Sequence, residues 1–152
     1  MTGDLQGHTD IGVATFLFRR HDSTVEVLLL RRATRRLFRH WFPIEGRIDV
    51  GETPEQAALR EVREETHIHP AEFFREQREP VLLVDLGLSI YVFVGFTNPS
   101  TQVVLNDEHS AFAWVNPAEA PIRLPLPSQR AALCRICEHF ILQQPEETLR
   151  VF

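Results

Sequence analysis

The chain has 152 residues, which is enough for one compact domain with a single hydrophobic core. With 43% hydrophobic and 24% charged residues, it has the composition of a globular protein and not of a disordered one. A net charge of −5 argues against a surface for nucleic acids, and no apolar run reaches the length of about 18 residues that a transmembrane helix needs.

The polar N-terminus and the two cysteines fit a cytoplasmic protein. The segment "MTGDLQGHTD" lacks the basic start and the apolar stretch of a secretory signal. Cys134 and Cys137, in "CRIC", have no second pair of metal ligands elsewhere, so we expect ordinary packing thiols. We therefore expect one cytoplasmic domain over residues 1–152, monomeric or homodimeric, with no membrane or nucleic-acid partner.

Hydrophobic segments in the first half predict a β-hairpin followed by a helix. Residues 11–18 and 25–32 are rich in β-branched and aliphatic side chains, and the polar turn "RRHDST" separates them. A basic loop over residues 31–40 leads into "WFPIEG". The next helix is expected over residues 54–66.

The second half alternates predicted strands with a closing helix. "EFFREQREPVLLVDLGLSIYVFVGFT" predicts a strand, a turn near Gly87 and another strand, and "TQVVL" and "AFAWV" predict short strands. The Pro-rich connector of residues 116–127 should stay extended, and residues 128–144 have a helical periodicity of about 3.6 residues. Interleaved strands and helices predict an α/β fold with a mixed β-sheet between helical layers.

The predicted central helix carries an unusual concentration of negative charge. Thr53 is a suitable N-cap, and Gln56 completes a capping box with it. On a helical wheel Glu61, Glu64 and Glu65 share an arc of about 100°. Glu65 lies at the edge of the apolar stripe, so its side chain should be partly desolvated.

This acidic cluster has two interpretations. Like charges one turn apart destabilise a helix by roughly a few tenths of a kcal/mol each, and by more when they are desolvated. The cluster is either a solvated face, offset in part by Arg60 four residues before Glu64, or a site for a hard divalent cation such as Mg²⁺. The charge pattern alone favours the solvated face.

The loop before the helix favours the cation site instead. Residues 46–68, "GRIDVGETPEQAALREVREETHI", follow the pattern G-x5-E-x7-R-E-U-x-E-E-x-G-U, where U is bulky and aliphatic, at eight of its nine specified positions. This pattern resembles the signature of the Nudix hydrolases. His67 replaces the usual glycine at the expected end of the helix, where a left-handed conformation favours glycine and tolerates histidine better than most residues.

The resemblance implies an α/β/α sandwich and hydrolysis of a diphosphate bond with Mg²⁺, or with Mn²⁺ as the alternative cofactor. One of the box glutamates or another carboxylate is the implied general base. Arg60 is placed with the catalytic residues because it pairs with a carboxylate and orients it, and Glu52 is implied to support the site. The implied metal ligands are Glu61, Glu64, Glu65 and the backbone of Gly46, with Glu61 and Glu64 also counted as catalytic.

Candidate site residues outside the motif are less specific. Glu108, in "NDEHSAFAW", is a predicted catalytic residue because several branches of the family have an acidic residue there; its alternative is an ordinary surface carboxylate. Arg31, Arg32 and Trp41 are the predicted substrate-binding residues. The arginines either hold a phosphate or are solvated strand-end charges, and Trp41, like Trp114, either stacks on a base or belongs to the core.

The motif does not name the substrate. "GETPEQA" is similar to the MutT-type nucleoside triphosphate enzymes, whereas "WFPIEG", "EH-x4-W" and "QRAA…EHF" are similar to the dihydroneopterin triphosphate or dATP pyrophosphohydrolase branch. The leading hypothesis is a nucleoside or pterin triphosphate as the small-molecule partner, cleaved to the monophosphate and pyrophosphate. The alternatives are a hydrolase of ADP-ribose or of a dinucleoside polyphosphate, and a non-catalytic nucleotide-sensing domain, which usually loses glutamates that this chain keeps.

Overall fold

A computed structural model describes residues 11–33, 39–83 and 87–152 of the chain, so half of the basic loop, residues 34–38, lies outside the described residues. The described residues form eight strands of one sheet: β1 (Ile11–His21), β2 (Thr24–Arg32), β3 (Trp41–Phe42), β4 (Ile44–Arg47), β5 (Glu72–Arg75), β6 (Val81–Leu83), β7 (Leu88–Thr97) and β8 (His109–Val115). The helices are α1 (Pro54–Thr66), α2 (Ala120–Arg123) and α3 (Pro127–Ile136), which continues into a π-helical turn (Cys137–Ile141); a 3₁₀ turn follows (Glu147–Leu149).

Strand β1 is the centre of the sheet. Along one edge it pairs antiparallel with β4, from Gly12↔Arg47 to Thr15↔Ile44, and then with β2. Along its other edge it runs parallel to β7 over the whole of its first nine residues. The predicted hairpin β1–β2 and the predicted mixed sheet are therefore confirmed.

Alternate residues of β1 build two cores on opposite faces of the sheet. Phe16 and Phe18 pack toward α3 in a cluster that includes Leu133 and Ile136, whereas Leu17 packs with Val62 of α1. This alternation is the two-residue period of a strand buried on both faces. Helices on both sides of the sheet confirm the predicted α/β/α sandwich, and α1 lies beside the edge where β4 pairs with β1.

The Pro-rich connector differs from its prediction, because four of its residues form α2. The carbonyl oxygen of Asn116 accepts hydrogen bonds from the backbone N–H groups of Glu119 and Ala120, at 2.9 and 3.0 Å. The Asn116 side-chain oxygen accepts another from Ala118, at 2.9 Å. Pro121 falls in the first turn of α2, where the missing N–H of proline costs nothing, so the expectation of an entirely extended connector is wrong.

Two further elements differ from the sequence prediction. The "TQVVL" segment forms no strand, because the Val104 N–H donates to the Thr66 carbonyl at the end of α1, at 2.9 Å, while Val103 and Leu105 pack on the α1-side core. The closing helix ends earlier than predicted. Its regular α-helical part ends at Ile136. The π-helical turn that follows ends at Ile141, and the Leu142 N–H donates to the Cys137 carbonyl at 2.9 Å.

Candidate active site

Both ends of helix α1 are fixed by local hydrogen bonds. The Gln56 N–H donates to the Thr53 hydroxyl oxygen at 3.2 Å, and the Thr53 N–H donates to the Gln56 side-chain oxygen at 3.0 Å. At the other end His67 is left-handed, with φ 59° and ψ 20°, and its N–H donates to the Arg63 carbonyl at 2.9 Å. The predicted capping box and the predicted end at His67 are confirmed, so the register of the glutamates between them is set.

Arg60 joins the loop before α1 to the acidic face of the helix. Its guanidinium donates to both carboxylate oxygens of Glu52, at 2.8 and 2.9 Å, and to the Glu61 carboxylate at 2.8 Å. It also reaches Glu64 at 3.3 Å and the Arg47 carbonyl at 2.9 Å. The pair with Arg60, followed by a backbone hydrogen bond from Asp49, lowers the pKa of Glu52. One arginine thus orients three carboxylates.

Glu65 is the most buried charge-bearing group of the cluster. Only 2% of the residue is exposed, which exceeds the partial desolvation expected from the helical wheel. Burial first, and then the charges of Glu61 and Glu108, raise the pKa of Glu65 to about 9. Burial also raises the pKa of Glu61, against the opposing effect of Arg60. Without a compensating positive charge, the Glu65 carboxyl holds its proton at neutral pH.

Gly46 lies in direct contact with the Glu61 side chain. A Cβ atom at position 46 would fall 2.1 Å from the Glu61 carboxyl carbon, which is far inside van der Waals contact. The absence of a side chain at position 46 therefore lets the backbone of β4 and the carboxylate of α1 meet at the sheet edge. This contact gives a structural reason for the glycine of the motif.

Strand β8 brings two residues from late in the chain to the acidic helix. A carboxylate oxygen of Glu65, a carboxylate oxygen of Glu108 and a ring nitrogen of His109 all lie within 4.8 Å of one another. Glu108 is exposed, whereas His109 is only 6% exposed. Burial, and then the nearby charge of Arg32, lower the pKa of His109 to about 4, so its imidazole is neutral at physiological pH. The structure thus places Glu108 beside the box glutamates.

An open cleft runs past these carboxylates. Its volume is about 570 Å³. Arg32 and Arg47 supply positive charge to it, and Arg32 lies 3.7 Å from the Glu45 carboxylate. Burial raises the pKa of Glu45, although Gln129 donates to its carboxylate at 2.9 Å. The lining residues are Ile11, Gly12, Val13, Arg32, Phe42, Glu45, Gly46, Arg47, Glu61, Glu64, Leu88, Ile90, Glu108 and Leu126.

Two of the predicted substrate-binding residues do not line this cleft. The Arg31 guanidinium donates to the Ser110 hydroxyl at 3.1 Å. The half-buried Trp41 ring packs against the α3-side core, between the guanidinium groups of Arg31 and Arg123, at 6.0 and 5.2 Å from the ring centroid. Trp114 contacts Arg19 and the α1-side core. A substrate role for Arg31 or Trp41 remains a prediction, and so does one for Arg32, which does line the cleft.

The sequence interpretation missed three residues of the site. Glu45 and Arg47 flank the motif glycine in β4. Residues two apart on a strand lie on the same face of the sheet, and this spacing was the signal for the pair. His109 follows Glu108 directly and begins strand β8. A histidine directly beside a predicted catalytic carboxylate was the available signal.

The residues of this cluster fit a divalent cation. Glu65 Oε2 is buried and has no hydrogen-bond partner among the described residues, and the same holds for Nδ1 of His109. A buried carboxylate oxygen left unpaired is costly, and a cation compensates for it directly. Oxygen ligands from Glu61, Glu64, Glu65 and Glu108 suit Mg²⁺ or Mn²⁺.

Clustered carboxylates on a cleft that also holds arginines suit a divalent cation together with the phosphate groups that it bridges. The NUDIX domain family model matches residues 8–135. The chain is 33% identical over 115 residues to the Mus musculus bis(5'-nucleosyl)-tetraphosphatase [asymmetrical], a match that covers 68% of this chain and 77% of that protein. The chain therefore belongs to the Nudix family and is a Nudix hydrolase.

Solved structures with the same fold support the architecture. A C. elegans Ap4A hydrolase binary complex superposes with a TM-score of 0.74 at 23% identity, over 85% of this chain and 96% of that one. The E. coli dihydroneopterin triphosphate pyrophosphohydrolase gives a TM-score of 0.65 at 24% identity, over 81% and 91%. Among the described residues, no helix has both the length and the apolar character needed to cross a membrane.

Proposed function

We propose that this enzyme hydrolyses a dinucleoside polyphosphate asymmetrically, so that a tetraphosphate yields a nucleoside triphosphate and a nucleoside monophosphate. The 33% identity to a bis(5'-nucleosyl)-tetraphosphatase, over most of both chains, carries the proposal. This identity favours the dinucleoside polyphosphate, an alternative substrate in the sequence analysis, over the leading hypothesis of a nucleoside or pterin triphosphate. That hypothesis remains a prediction and is tested in the same experiment.

The charge distribution of the cleft supports a substrate with a polyphosphate chain. Arg32 and Arg47 line the same space as Glu61, Glu64 and Glu108, so the cleft carries both positive and negative groups. Guanidinium groups bind phosphate oxygens through paired hydrogen bonds, and carboxylates reach phosphates only through a bridging cation. The apolar residues Leu88, Ile90 and Leu126 of the same cleft offer a surface on which a nucleobase can lie.

Each site residue then has a proposed task. Glu61, Glu64 and Glu65, with the backbone of Gly46, hold the cation, for which we propose Mg²⁺ in a cytoplasmic enzyme. When bound, such a cation neutralises phosphate charge and makes a nearby water more acidic. Arg60 keeps Glu61 and Glu52 oriented through the hydrogen bonds described above.

The hydrolytic step needs a base for the attacking water. Glu64 and Glu108 are the two carboxylates that are solvent-exposed on the cleft, so either is placed to accept the proton of a water that enters it. As the water oxygen bonds to phosphorus, the bond from phosphorus to the bridging oxygen breaks. Arg32 or Arg47 stabilises the negative charge of the phosphate that leaves.

The decisive experiment is a substrate panel with product identification. A dinucleoside tetraphosphate, ADP-ribose, nucleoside triphosphates and dihydroneopterin triphosphate are incubated with the enzyme and Mg²⁺ or Mn²⁺, and the products are separated by anion-exchange chromatography. We expect the dinucleoside tetraphosphate to be used with the highest kcat/KM and to give unequal products. A preference for a triphosphate, with pyrophosphate release, would replace our proposal with the hypothesis from the sequence.

Two matched glutamate variants locate the activity. Glu64→Gln keeps the volume of the side chain and removes its charge, so we expect kcat to fall by about 100-fold or more. Glu138→Gln makes the same change at an exposed position of the π-helical turn and should leave kcat unchanged. Equal activity of the two folded variants would exclude Glu64 from the chemistry.

A further inference from the structure

His109 lies behind the acidic face of α1 with no task in the function proposed above. One of its ring nitrogens lies within 4.8 Å of carboxylate oxygens of both Glu65 and Glu108. The residue is 94% buried, being 6% exposed, and its Nδ1 has no hydrogen-bond partner among the described residues. Glu65 is 2% exposed, and its Oε2 likewise has no hydrogen-bond partner among the described residues.

The backbone holds this histidine firmly at the start of β8. The Glu108 N–H donates to the Asn106 side-chain oxygen at 3.2 Å, and the Glu108 carbonyl accepts the Ala33 N–H at 2.9 Å. His109 is itself in register with Arg32 of β2, next to an irregularity that re-aims the strand. Since loop and strand are tied to β2 on both sides of the residue, the position of the ring follows from the fold.

Glu65 Oε2 and His109 Nδ1 are both buried without a hydrogen-bond partner among the described residues, and both side chains belong to one compact cluster, so a shared partner would satisfy both. A buried polar atom without a partner costs roughly 1–3 kcal/mol, so two of them are a strong requirement on a small site. A metal ion satisfies an imidazole nitrogen and a carboxylate oxygen at once. The donor set of one nitrogen and two carboxylates is also chemically different from the all-oxygen set of Glu61 and Glu64.

We propose that a divalent ion held by Glu65 and Glu108 takes a ring nitrogen of His109 as a third ligand. This position therefore favours a first-row transition ion, such as Mn²⁺, Co²⁺ or Zn²⁺, over Mg²⁺, because imidazole suits transition ions and Mg²⁺ demands oxygen. The inference rests on the divalent-cation site of the proposed function. It adds, beside that Mg²⁺ site, a second ion position that shares Glu65, takes Glu108 and His109 from outside the motif, and has its own preference among ions.

Electron spin echo envelope modulation of Mn²⁺-loaded protein tests the nitrogen ligand directly. We expect ¹⁴N modulation in the wild-type protein, and its replacement by a ¹⁵N pattern when the protein is labelled with [¹⁵N]histidine. His109→Gln should abolish the modulation. The exposed His139, whose Nδ1 contacts Gln143 at 3.2 Å, gives the matched control His139→Gln, which should retain it. A wild-type spectrum without histidine nitrogen would overturn the proposal even if no variant could be made.

Calorimetric titrations of the metal-free proteins test the preference among ions. His109→Gln should weaken Mn²⁺ binding by about tenfold or more and Mg²⁺ binding much less. Equal loss for both ions would show that His109 only supports the fold, and would overturn the proposal. Both readouts are independent of turnover. A protein that binds its ion through histidine but does not hydrolyse the dinucleoside polyphosphate would uphold this inference and contradict the proposed function. A protein that hydrolyses this substrate but gives no nitrogen signal would uphold the proposed function and contradict this inference.

Discussion

At the scale of single residues, Gly46 and Glu61 show how a motif position follows from packing. The motif glycine is needed because a Cβ would occupy the place of the Glu61 carboxyl group, 2.1 Å from its carbon. The sequence identifies both residues through the resemblance, but the contact between them is a property of the folded chain. Only the pairing of β4 with β1, beside α1, brings them together.

Gly46→Ala should therefore damage activity more than stability. The added methyl group displaces the Glu61 side chain, which lines the open cleft, so we expect the free energy of unfolding to fall by only about 1–2 kcal/mol. Misplacement of the Glu61 carboxylate should lower kcat/KM by about 100-fold. Enzyme kinetics and urea unfolding of the same preparation measure the two effects.

Gly51→Ala is the matched control for this prediction. Gly51 has φ +86°, and a Cβ added there would meet no atom within 4 Å beyond its two chain neighbours, so alanine strains the backbone without displacing Glu61. We expect a loss of about 1–2 kcal/mol in stability and nearly full activity. If Gly46→Ala behaved like Gly51→Ala, the contact with Glu61 would have no functional importance.

Glu65 makes stability depend on pH in the metal-free protein. Its pKa is about 9 in the folded protein and 4.5 ordinarily, so the folded state binds the proton more tightly. The associated stabilisation is complete below the ordinary value and is lost as pH rises toward 9. The free energy of unfolding in EDTA should fall across this range by up to about 1.4 kcal/mol per pH unit. Mg²⁺ favours the ionised carboxylate, so its stabilising effect should grow with pH.

Denaturant unfolding at about pH 6 and about pH 8.5 measures this linkage. Glu65→Gln has no proton to lose and should show a clearly smaller fall in stability between the two pH values, whereas Glu138→Gln should follow the wild type. Parallel pH profiles for wild type and Glu65→Gln would mean that Glu65 ionises normally. The sequence predicted the partial desolvation of this residue, but the contribution of Glu108 to its pKa depends on a contact across the fold.

At the scale of elements, helix α1 is the part of the molecule that the sequence predicts best. Its capping box, its proline at the first turn and its motif are local signals, and the structure has them all. The "TQVVL" segment shows the opposite case. Its β-branched residues predict a strand by composition, but the available backbone partner is the Thr66 carbonyl at the end of α1. A local signal does not show which partner is free.

The left-handed end of α1 leads to a prediction for two substitutions. His67→Gly removes the conformational cost of a left-handed non-glycine residue, about 1 kcal/mol. It also loses the hydrogen bond from Nδ1 to the Val104 carbonyl, at 2.8 Å, which contributes about the same amount. We expect its stability to stay within about 1 kcal/mol of the wild type. His67→Val loses the hydrogen bond and keeps the strained φ, so it should lose about 2 kcal/mol.

Both His67 variants retain every carboxylate of the site, so kcat should be unchanged where they are folded. Urea unfolding gives their stabilities and kinetics at low temperature gives kcat. If valine were tolerated as well as glycine, the left-handed conformation would not be what selects the residue at this position.

At the scale of the whole molecule, the sheet separates two tasks. The face toward α3 carries a large aromatic and aliphatic core, including Phe74 and Phe140, and helix α1 on the other face supplies Glu61 and Glu64 to the cleft. The interleaving of strands and helices along the sequence predicted the layers. It did not predict that β8, far along the chain from α1, delivers Glu108 and His109 to the cluster, since that depends on the long-range pairing of β8 with β2.

This division predicts that a defect in the α3-side core lowers stability and leaves catalysis intact. Phe140 is fully buried and packs edge-on against Phe74, with ring centroids 5.8 Å apart. Phe140→Ala should cost about 3–5 kcal/mol in the free energy of unfolding, and the fraction that is folded should keep kcat/KM within about twofold. Thermal unfolding and kinetics at low temperature measure both quantities, with Phe140→Leu as the milder change if the alanine variant does not fold. Leu142→Ala, at a residue 79% exposed, is the control. It should change the free energy of unfolding by no more than about 0.5 kcal/mol and leave kcat/KM unchanged. A large loss of kcat/KM in fully folded Phe140→Leu would instead show that the two faces of the sheet are coupled in catalysis.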